Sequence, residues 1–334
     1  MRSGIVLAVG PNGAGKTNLL EALHVGTQGF SPRTRRESRL VRFGKEAAGV
    51  TVAGTRAAAP IEVDVELRRN GGKRVALNGA PLRTMDELRT RIATLVFIPE
   101  RLAIVKGSPS LRRAYFDRVL TRLQPARAAL PSDYAAALGQ RNTALRRVAA
   151  RVSARDALEP WTARVAMLGE QLSEARGQVI SVLAGPFAAR ARELGLPEAR
   201  LMHECAAVSA EDLDARLERD LERGWTGAGA HLEDIGIASE ERDLRTYGSQ
   251  GEQRIAVLAL LLAEAELLTE RGPAPPLLLL DDVLSELDAD RRAALAGRIG
   301  AWGQALVTAT SASALPVEPG QLVEVRPGSA RTVA

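Results

Sequence analysis

Apolar residues fall in two kinds of run along this chain, and each predicts a different strand. Residues 4–9, Gly4-Ile5-Val6-Leu7-Ala8-Val9, and the stretch Leu277–Leu280 are unbroken runs bounded by turn residues. Such runs suit strands buried on both faces of a parallel sheet. Residues 95–98, stopped by Pro99, and residues 305–309 repeat the pattern. Residues 50–52, 61–67 and 75–77 instead alternate apolar and polar side chains. Asn70-Gly71-Gly72 and Asn78-Gly79 separate them, so an antiparallel sheet is expected on the flank. Helices are expected over 17–25, 255–268 and 289–298. Gly272-Pro273-Ala274-Pro275-Pro276 is a stiff turn delivering the chain into Leu277–Leu280. After Pro316 one more short strand, 321–325, is expected before the tail frays.

From about residue 111 to 223 the character changes. Ala, Leu, Arg and Glu dominate, strand signals vanish, and Pro125, Pro131, Pro160, Pro186 and Pro197 punctuate otherwise helical stretches. The expected fold is α/β: a mixed central sheet with flanking antiparallel strands, plus an all-helical arm insertion. Residues 1–105 and 236–334 form the two parts of the core, and 106–235 the arm. Residues 106–155 carry eleven basic residues against two acidic ones, whereas 156–223 is net acidic. Mixed-charge helices are ordinarily solvated faces. The basic half is equally the part of the arm best suited to a polyanion, and both readings stand.

Composition narrows the class without choosing a function. With 334 residues, 46% hydrophobic and 25% charged, the chain suits a globular protein of two or three folding units. A net charge of +5 and a pI near 9.8 are compatible with a polyanionic partner. Lysines are confined to Lys16, Lys45, Lys73 and Lys106, a bias that genome base composition explains as well as phosphate recognition does. The single Cys205 forms no internal disulfide, and His24, His203 and His231 have no metal-ligand spacing. No stretch reaches the about 18 apolar residues that span a bilayer. The first nine residues read as a strand and not as a signal peptide, so a cytoplasmic protein without a membrane partner is expected.

Three short segments carry the chemistry. Gly10-Pro11-Asn12-Gly13-Ala14-Gly15-Lys16-Thr17, followed by Asn18, lies between the first strand and the first helix and fits G-x-x-x-x-G-K-T. Its glycines let backbone N–H groups curl around phosphate oxygens, and the helix behind aims its positive end at them. Lys16 would reach the β- and γ-phosphates of ATP, and the Thr17 hydroxyl would ligate Mg²⁺. Asp281 ends the Leu277–Leu280 run, where ligands bind in parallel sheets, and would hold Mg²⁺ through water. Asp282 is placed either to polarise the attacking water or to cap the turn. Ser249-Gln250-Gly251 opens the apolar helix, and its N–H groups with the Ser249 hydroxyl make a second anion site. That turn gains its meaning from the phosphate loop elsewhere in the chain. In this architecture it faces the γ-phosphate held by a second copy, which makes Ser249 a catalytic candidate beside Lys16 and Asp282. Ser285-Glu286-Leu287-Asp288 suits a loop crossing that interface, with Asp288 also a helix N-cap.

Together, residues 10–22, Ser249-Gln250-Gly251-Glu252-Gln253-Arg254 and Asp281-Asp282-Val283-Leu284-Ser285-Glu286-Leu287-Asp288 resemble the ABC-type ATPases of DNA maintenance, and among them the RecF family. Segments outside the ATP motifs discriminate further. Arg33-Thr34-Arg35-Arg36 with Leu40-Val41-Arg42-Phe43-Gly44 looks like the family's stretch after the first helix. Phe97-Ile98-Pro99-Glu100, Val105-Lys106-Gly107-Ser108-Pro109 and Arg112-Arg113-Ala114-Tyr115-Phe116-Asp117 are similar to another hallmark, and Gln140-Arg141-Asn142-Thr143-Ala144-Leu145-Arg146 to its arm motif. The resemblance implies an ABC-type core and an ATP-dependent homodimer that binds DNA, particularly duplex beside single-stranded gaps. It also implies work with RecR, and in some settings RecO, to help RecA load in recombinational repair, replication maintenance and the SOS response. ATP would close the dimer on duplex DNA, and weak, DNA-stimulated hydrolysis would open it. Arg33, Arg35, Arg36, Arg112 and Arg113 are the candidate DNA contacts.

The chain departs from the family in three places. Members usually have about two more strands before the loop, including an Asn-Phe-Arg-Asn-type segment near the base. Only nine residues precede Gly10 here, which leads us to expect a misassigned start or a truncated chain. Gly229-Ala230-His231-Leu232-Glu233-Asp234 stands for the usual Gly-Pro-His-Arg-Asp-Asp, losing a basic residue. The C-terminal strand carries Thr308 and Thr310, without the switch His of transporter ATPases. Asp282 is shorter than the Glu common at its position in other ABC ATPases, which suggests slow turnover. A transport ATPase subunit would lack this arm, and a structural SMC-like tether would need hundreds of heptad residues where the insertion has about 110.

Overall fold

The computed structural model describes residues 1, 3–34, 36–56, 59–285 and 287–333; Arg35 and Glu286, both singled out above, lie outside the described residues. The chain forms two compact units. One holds Met1–Arg101, Glu193–Gly195 and Leu258–Ala334, and the other Leu102–Arg192 and Leu196–Val257. No helix among the described residues is long and apolar enough to cross a membrane.

The first unit is built on a six-stranded sheet. Its strands lie in the order Ser329–Val333, Gln321–Arg326, Gly4–Val9, Gln304–Ala309, Leu277–Leu280 and Thr94–Phe97. All neighbours pair in parallel except the edge hairpin of the last two strands in sequence. The unbroken apolar runs are therefore buried on both faces, as parallel strands require. Val6, Ala8, Leu20, Val96, Leu279 and Leu306 share one core cluster. The tail does not fray after the strand at 321. Pro327-Gly328 turns the chain back, and Ser329–Val333 pairs antiparallel from Arg326↔Ser329 to Leu322↔Val333. A two-residue turn and alternating side chains are enough to close that hairpin.

Beside this sheet in sequence lies a four-stranded antiparallel one, Ala47–Arg56, Ala59–Arg68, Lys73–Leu77 and Ala80–Pro81. Period-two alternation sends Val63, Val65, Leu67, Val75 and Leu77 to one face, where they bury Val25 of the first helix and Leu88. Asn78-Gly79 makes the expected two-residue turn between Leu77 and Ala80.

The second unit is mainly helical: Pro109–Leu123, Leu130–Ala149 and the long helix that begins at Glu159 carry most of its core. Two expectations need correction here. Arg200–Glu204 is a strand, pairing with Asp234–Ser239, which in turn pairs with Arg242–Asp243. Pro186 does not interrupt its helix, which runs Glu159–Glu193. Leu183 and Phe187 on either side are wholly buried, and their contacts offset the hydrogen bond that a mid-helix Pro removes, a loss of about 3 kcal/mol.

Buried ion pairs organise this unit. Arg141, fully buried, donates to Asp220 Oδ2 and Thr226 Oγ1, both at 2.8 Å. Arg176 donates to both oxygens of Asp117, at 2.8 and 3.0 Å, and to Glu233 Oε2 at 2.8 Å. Burial alone would raise the Glu233 carboxyl, but hydrogen bonds from His203, Ser173 and Arg176 outweigh it and hold the group at about 2. A depressed carboxylate stabilises the fold above its unfolded value and loses that contribution as it protonates. Glu233 should therefore contribute its full share to the unfolding midpoint down to about pH 4.5 and lose it toward pH 2. Glu233→Gln should flatten this part of the slope in a melting series across those pH values; an unchanged slope would remove Glu233 from the explanation.

Candidate functional site

The buried strand Gly4–Val9 ends at Gly10, and the chain wraps into the helix Lys16–Gln28. Two glycines are dictated by geometry. A Cβ on Gly10 would meet the Val325 carbonyl oxygen at 2.3 Å, and Gly15, the N-cap, has φ +103°. The loop closes on itself through Ala14 N–H to Pro11 O at 3.1 Å. Lys16 is buried, and its Nζ donates to Gly10 O at 2.8 Å and Pro11 O at 3.1 Å, so its charge lies across the loop.

The two aspartates part company at the end of the strand Leu277–Leu280. Asp281 is buried and turned inward. It accepts from Thr17 Oγ1, at 2.9 Å to Oδ2, and from Thr308 Oγ1 at 2.7 Å. Asp282 is exposed, with φ +48°, a backbone state uncommon for a residue other than Gly. Its N–H donates to Thr308 Oγ1 at 2.9 Å, and its carbonyl accepts from Ser285 Oγ at 3.0 Å. The strained turn thus directs one carboxylate to the first helix and the other to solvent. Asp288 caps the helix Ala289–Ala301 by accepting from Arg291 N–H at 2.9 Å.

Thr308 is the residue that sequence reading missed. In the sequence Thr308 stands out only as a residue that is not His. Parallel pairing of Leu280 with Val307 places the next residue, Thr308, beside the aspartates. A single hydroxyl there donates to Asp281 and accepts from Asp282, fixing both. Glu21, in the first helix, accepts from Ser31 Oγ and pairs with Arg33 at 3.2 Å.

In the second unit, Ser249-Gln250-Gly251 opens the helix Gln250–Arg271 with exposed residues. The turn carries a reciprocal cap. Glu252 N–H donates to Ser249 Oγ at 3.2 Å, and Ser249 N–H donates to Glu252 Oε2 at 2.7 Å. Those bonds from Ser249 lower the Glu252 carboxyl. The hydroxyl is therefore held at the helix start, on the exposed side of the turn.

The arginine candidates separate by burial. Arg36 is exposed, and Arg33 is partly tied to Glu21 and Glu100. Arg112 is corrected: it is buried and bidentate on Asp234, at 2.7 and 2.6 Å, with a third bond to Gly107 O at 2.8 Å. Its donors face protein groups, so it braces the unit and does not meet a phosphate. Arg113 is half-buried and donates to Glu233 O at 2.5 Å; burial, then the charge of Arg176, lowers its pKa.

Comparison with known proteins follows the same lines. Residues 1–328 match the family described as the RecF/RecN/SMC N terminal domain. A "DNA replication and repair protein RecF" of Anaeromyxobacter dehalogenans is 38% identical over 323 residues, covering 90% of this chain and 85% of the relative. One from Ruminiclostridium cellulolyticum is 32% identical over 300 residues, covering 85% and 80%. Among solved structures, that of the recombination mediator protein RecF with ATP in the RecFOR pathway has a TM-score of 0.89 at 29% identity, covering all of this chain and 92% of that one. The Smc head domain of Pyrococcus furiosus, at 16% identity and a TM-score of 0.57, shares the fold. The chain belongs to the RecF/RecN/SMC family, and within it to the RecF proteins.

Proposed function

We propose that this chain is an ATP-dependent DNA-binding protein of replication and recombinational repair, working as a dimer that ATP closes and hydrolysis opens. What supports the nucleotide assignment is one observation: Lys16, Thr17, Asp281 and Thr308 converge at the C-terminal ends of three neighbouring parallel strands. The loop N–H groups and Lys16 bind the phosphates, with Gly10, Pro11, Asn12, Gly13, Ala14, Gly15 and Asn18 shaping the cradle. Thr17 and Asp281 offer hard oxygens 2.9 Å apart, a donor set that fits Mg²⁺, which keeps several waters of its own. When bound, that ion would neutralise charge on the phosphates. Asp282, facing solvent, orients the attacking water and accepts its proton. The second copy contributes Ser249, Gln250 and Gly251, whose hydroxyl and amides grip the γ-phosphate. Loss of that phosphate removes the bridge between the copies, and the dimer opens.

DNA is held mainly through phosphates, with Arg36 and its exposed neighbours as the sequence-independent part. Duplex beside a single-stranded gap is the substrate we favour, with RecR, and in some settings RecO, as partners that use the closed dimer to help RecA load. The cytoplasm is the compartment where these would meet. Fluorescence anisotropy on a gapped duplex tests the reading. Binding should tighten with ATP relative to ADP and weaken as salt rises from 50 to about 200 mM, since phosphate contacts release counterions. Affinity indifferent to both nucleotide and salt would overturn it.

A further inference from the structure

Phe43 is 95% exposed, the most exposed large apolar side chain among the described residues. Its placement is not a loose end. Residues 42–45 make a turn closed by Lys45 N–H to Arg42 O at 3.0 Å, with Gly44 at φ +78°. Val41, just before it, is buried in the core of the antiparallel sheet. Arg69, just past the strand Ala59–Arg68, ties the turn down. Its guanidinium donates to Lys45 O at 2.8 Å, Arg42 O at 2.5 Å and Val41 O at 3.4 Å, and lies 6.0 Å from the Phe43 ring centroid. Its own N–H donates to Glu46 O at 2.9 Å. A phenyl ring is thus held outward on a fixed support, where burial would have stabilised the fold by about 2 kcal/mol.

The surroundings are cationic. Residues 33–45 contain six basic residues and one acidic residue, Glu37. Glu37 is already paired with Lys73 at 2.5 Å. Arg36, Arg39, Arg42 and Lys45, close to Phe43 in the chain, are all exposed, and Arg69 lies over the ring. An aromatic face among phosphate-seeking charges is the combination that binds unpaired nucleotides. In continuous duplex every base face is already covered by its neighbours, so a single protruding ring has a partner only where the stack is interrupted.

We propose that Phe43 stacks on the exposed base at the border between duplex and single strand, while the flanking cations take the adjoining phosphates. The proposal rests on the DNA-binding reading above and gives that reading a structural basis for choosing gaps over plain duplex. Anisotropy with a gapped and a continuous duplex tests it, using wild type, Phe43→Ala and Phe43→Trp. Phe43→Ala should bind the gapped duplex about tenfold more weakly, with continuous duplex changed less than about twofold. Phe43→Trp should retain gap binding, and a 2-aminopurine at the gap border should be quenched by it and by wild type but not by Phe43→Ala. Equal affinity of Phe43→Ala and wild type for the gap would overturn the proposal, as would equal losses on both substrates. Loss of ATP-dependent pairing in Phe43→Ala would also overturn it, making the ring a contact between copies or with another protein. Wild type binding neither DNA would remove the DNA-binding reading itself, and this proposal with it.

Discussion

Lys16→Ala is expected to weaken ATP binding on the order of 10² to 10⁴-fold. A charged donor to phosphate oxygens contributes about 1.5–3 kcal/mol per hydrogen bond, and Lys16 serves two phosphates. The same ammonium also ties Gly10 O to Pro11 O across the loop, so the variant loses preorganisation as well as charge. Titration with a fluorescent ATP analogue reads the loss, and a melting curve separates it from unfolding. The loop is supported by the strand and helix on either side, so the midpoint should move little. Wild-type affinity in Lys16→Ala would mean that the nucleotide lies elsewhere.

Ser249→Arg should have the opposite signature. Ser249 lies in a different unit from the phosphate loop, and its side chain is exposed. ATP affinity should therefore stay within a few-fold of wild type, while ATP-dependent pairing and hydrolysis disappear. The lost reciprocal cap with Glu252 should lower stability by about 1 kcal/mol, and Ser249→Ala measures that part alone. Sedimentation or light scattering with ATP distinguishes the two variants: the alanine pairs weakly, and the arginine remains single. A Ser249→Arg protein that pairs normally would remove the turn from the interface.

Much of this was legible in the chain. Gly4 to Val9 and Leu277 to Leu280 have no polar alternation to resolve, so their place inside a parallel sheet follows from the run itself. Asn78-Gly79 between alternating segments fixed a hairpin for the same local reason. What stayed hidden depends on residues far apart. Arg112 looks like part of a basic patch because its partner, Asp234, is 122 positions away. Thr308 owes its role to register with a neighbouring strand, which no local window contains. Arg200–Glu204 is short and sits beside helices of similar composition, so its pairing with Asp234–Ser239 outweighs a weak local signal. Pro186 misled because local propensity assumes an isolated helix, whereas Leu183 and Phe187 bury the turn around it.

Mixing Lys16→Ala with Ser249→Arg tests the shared site most directly. One variant has a sound Ser249 turn and the other a sound phosphate loop, so a mixed pair rebuilds one complete site from two inactive proteins. In a two-fold dimer this should restore about a quarter to a half of wild-type ATP hydrolysis, although each variant alone shows none. A mixture no more active than its separate components would contradict the account, because a site complete within one chain gains nothing from the other.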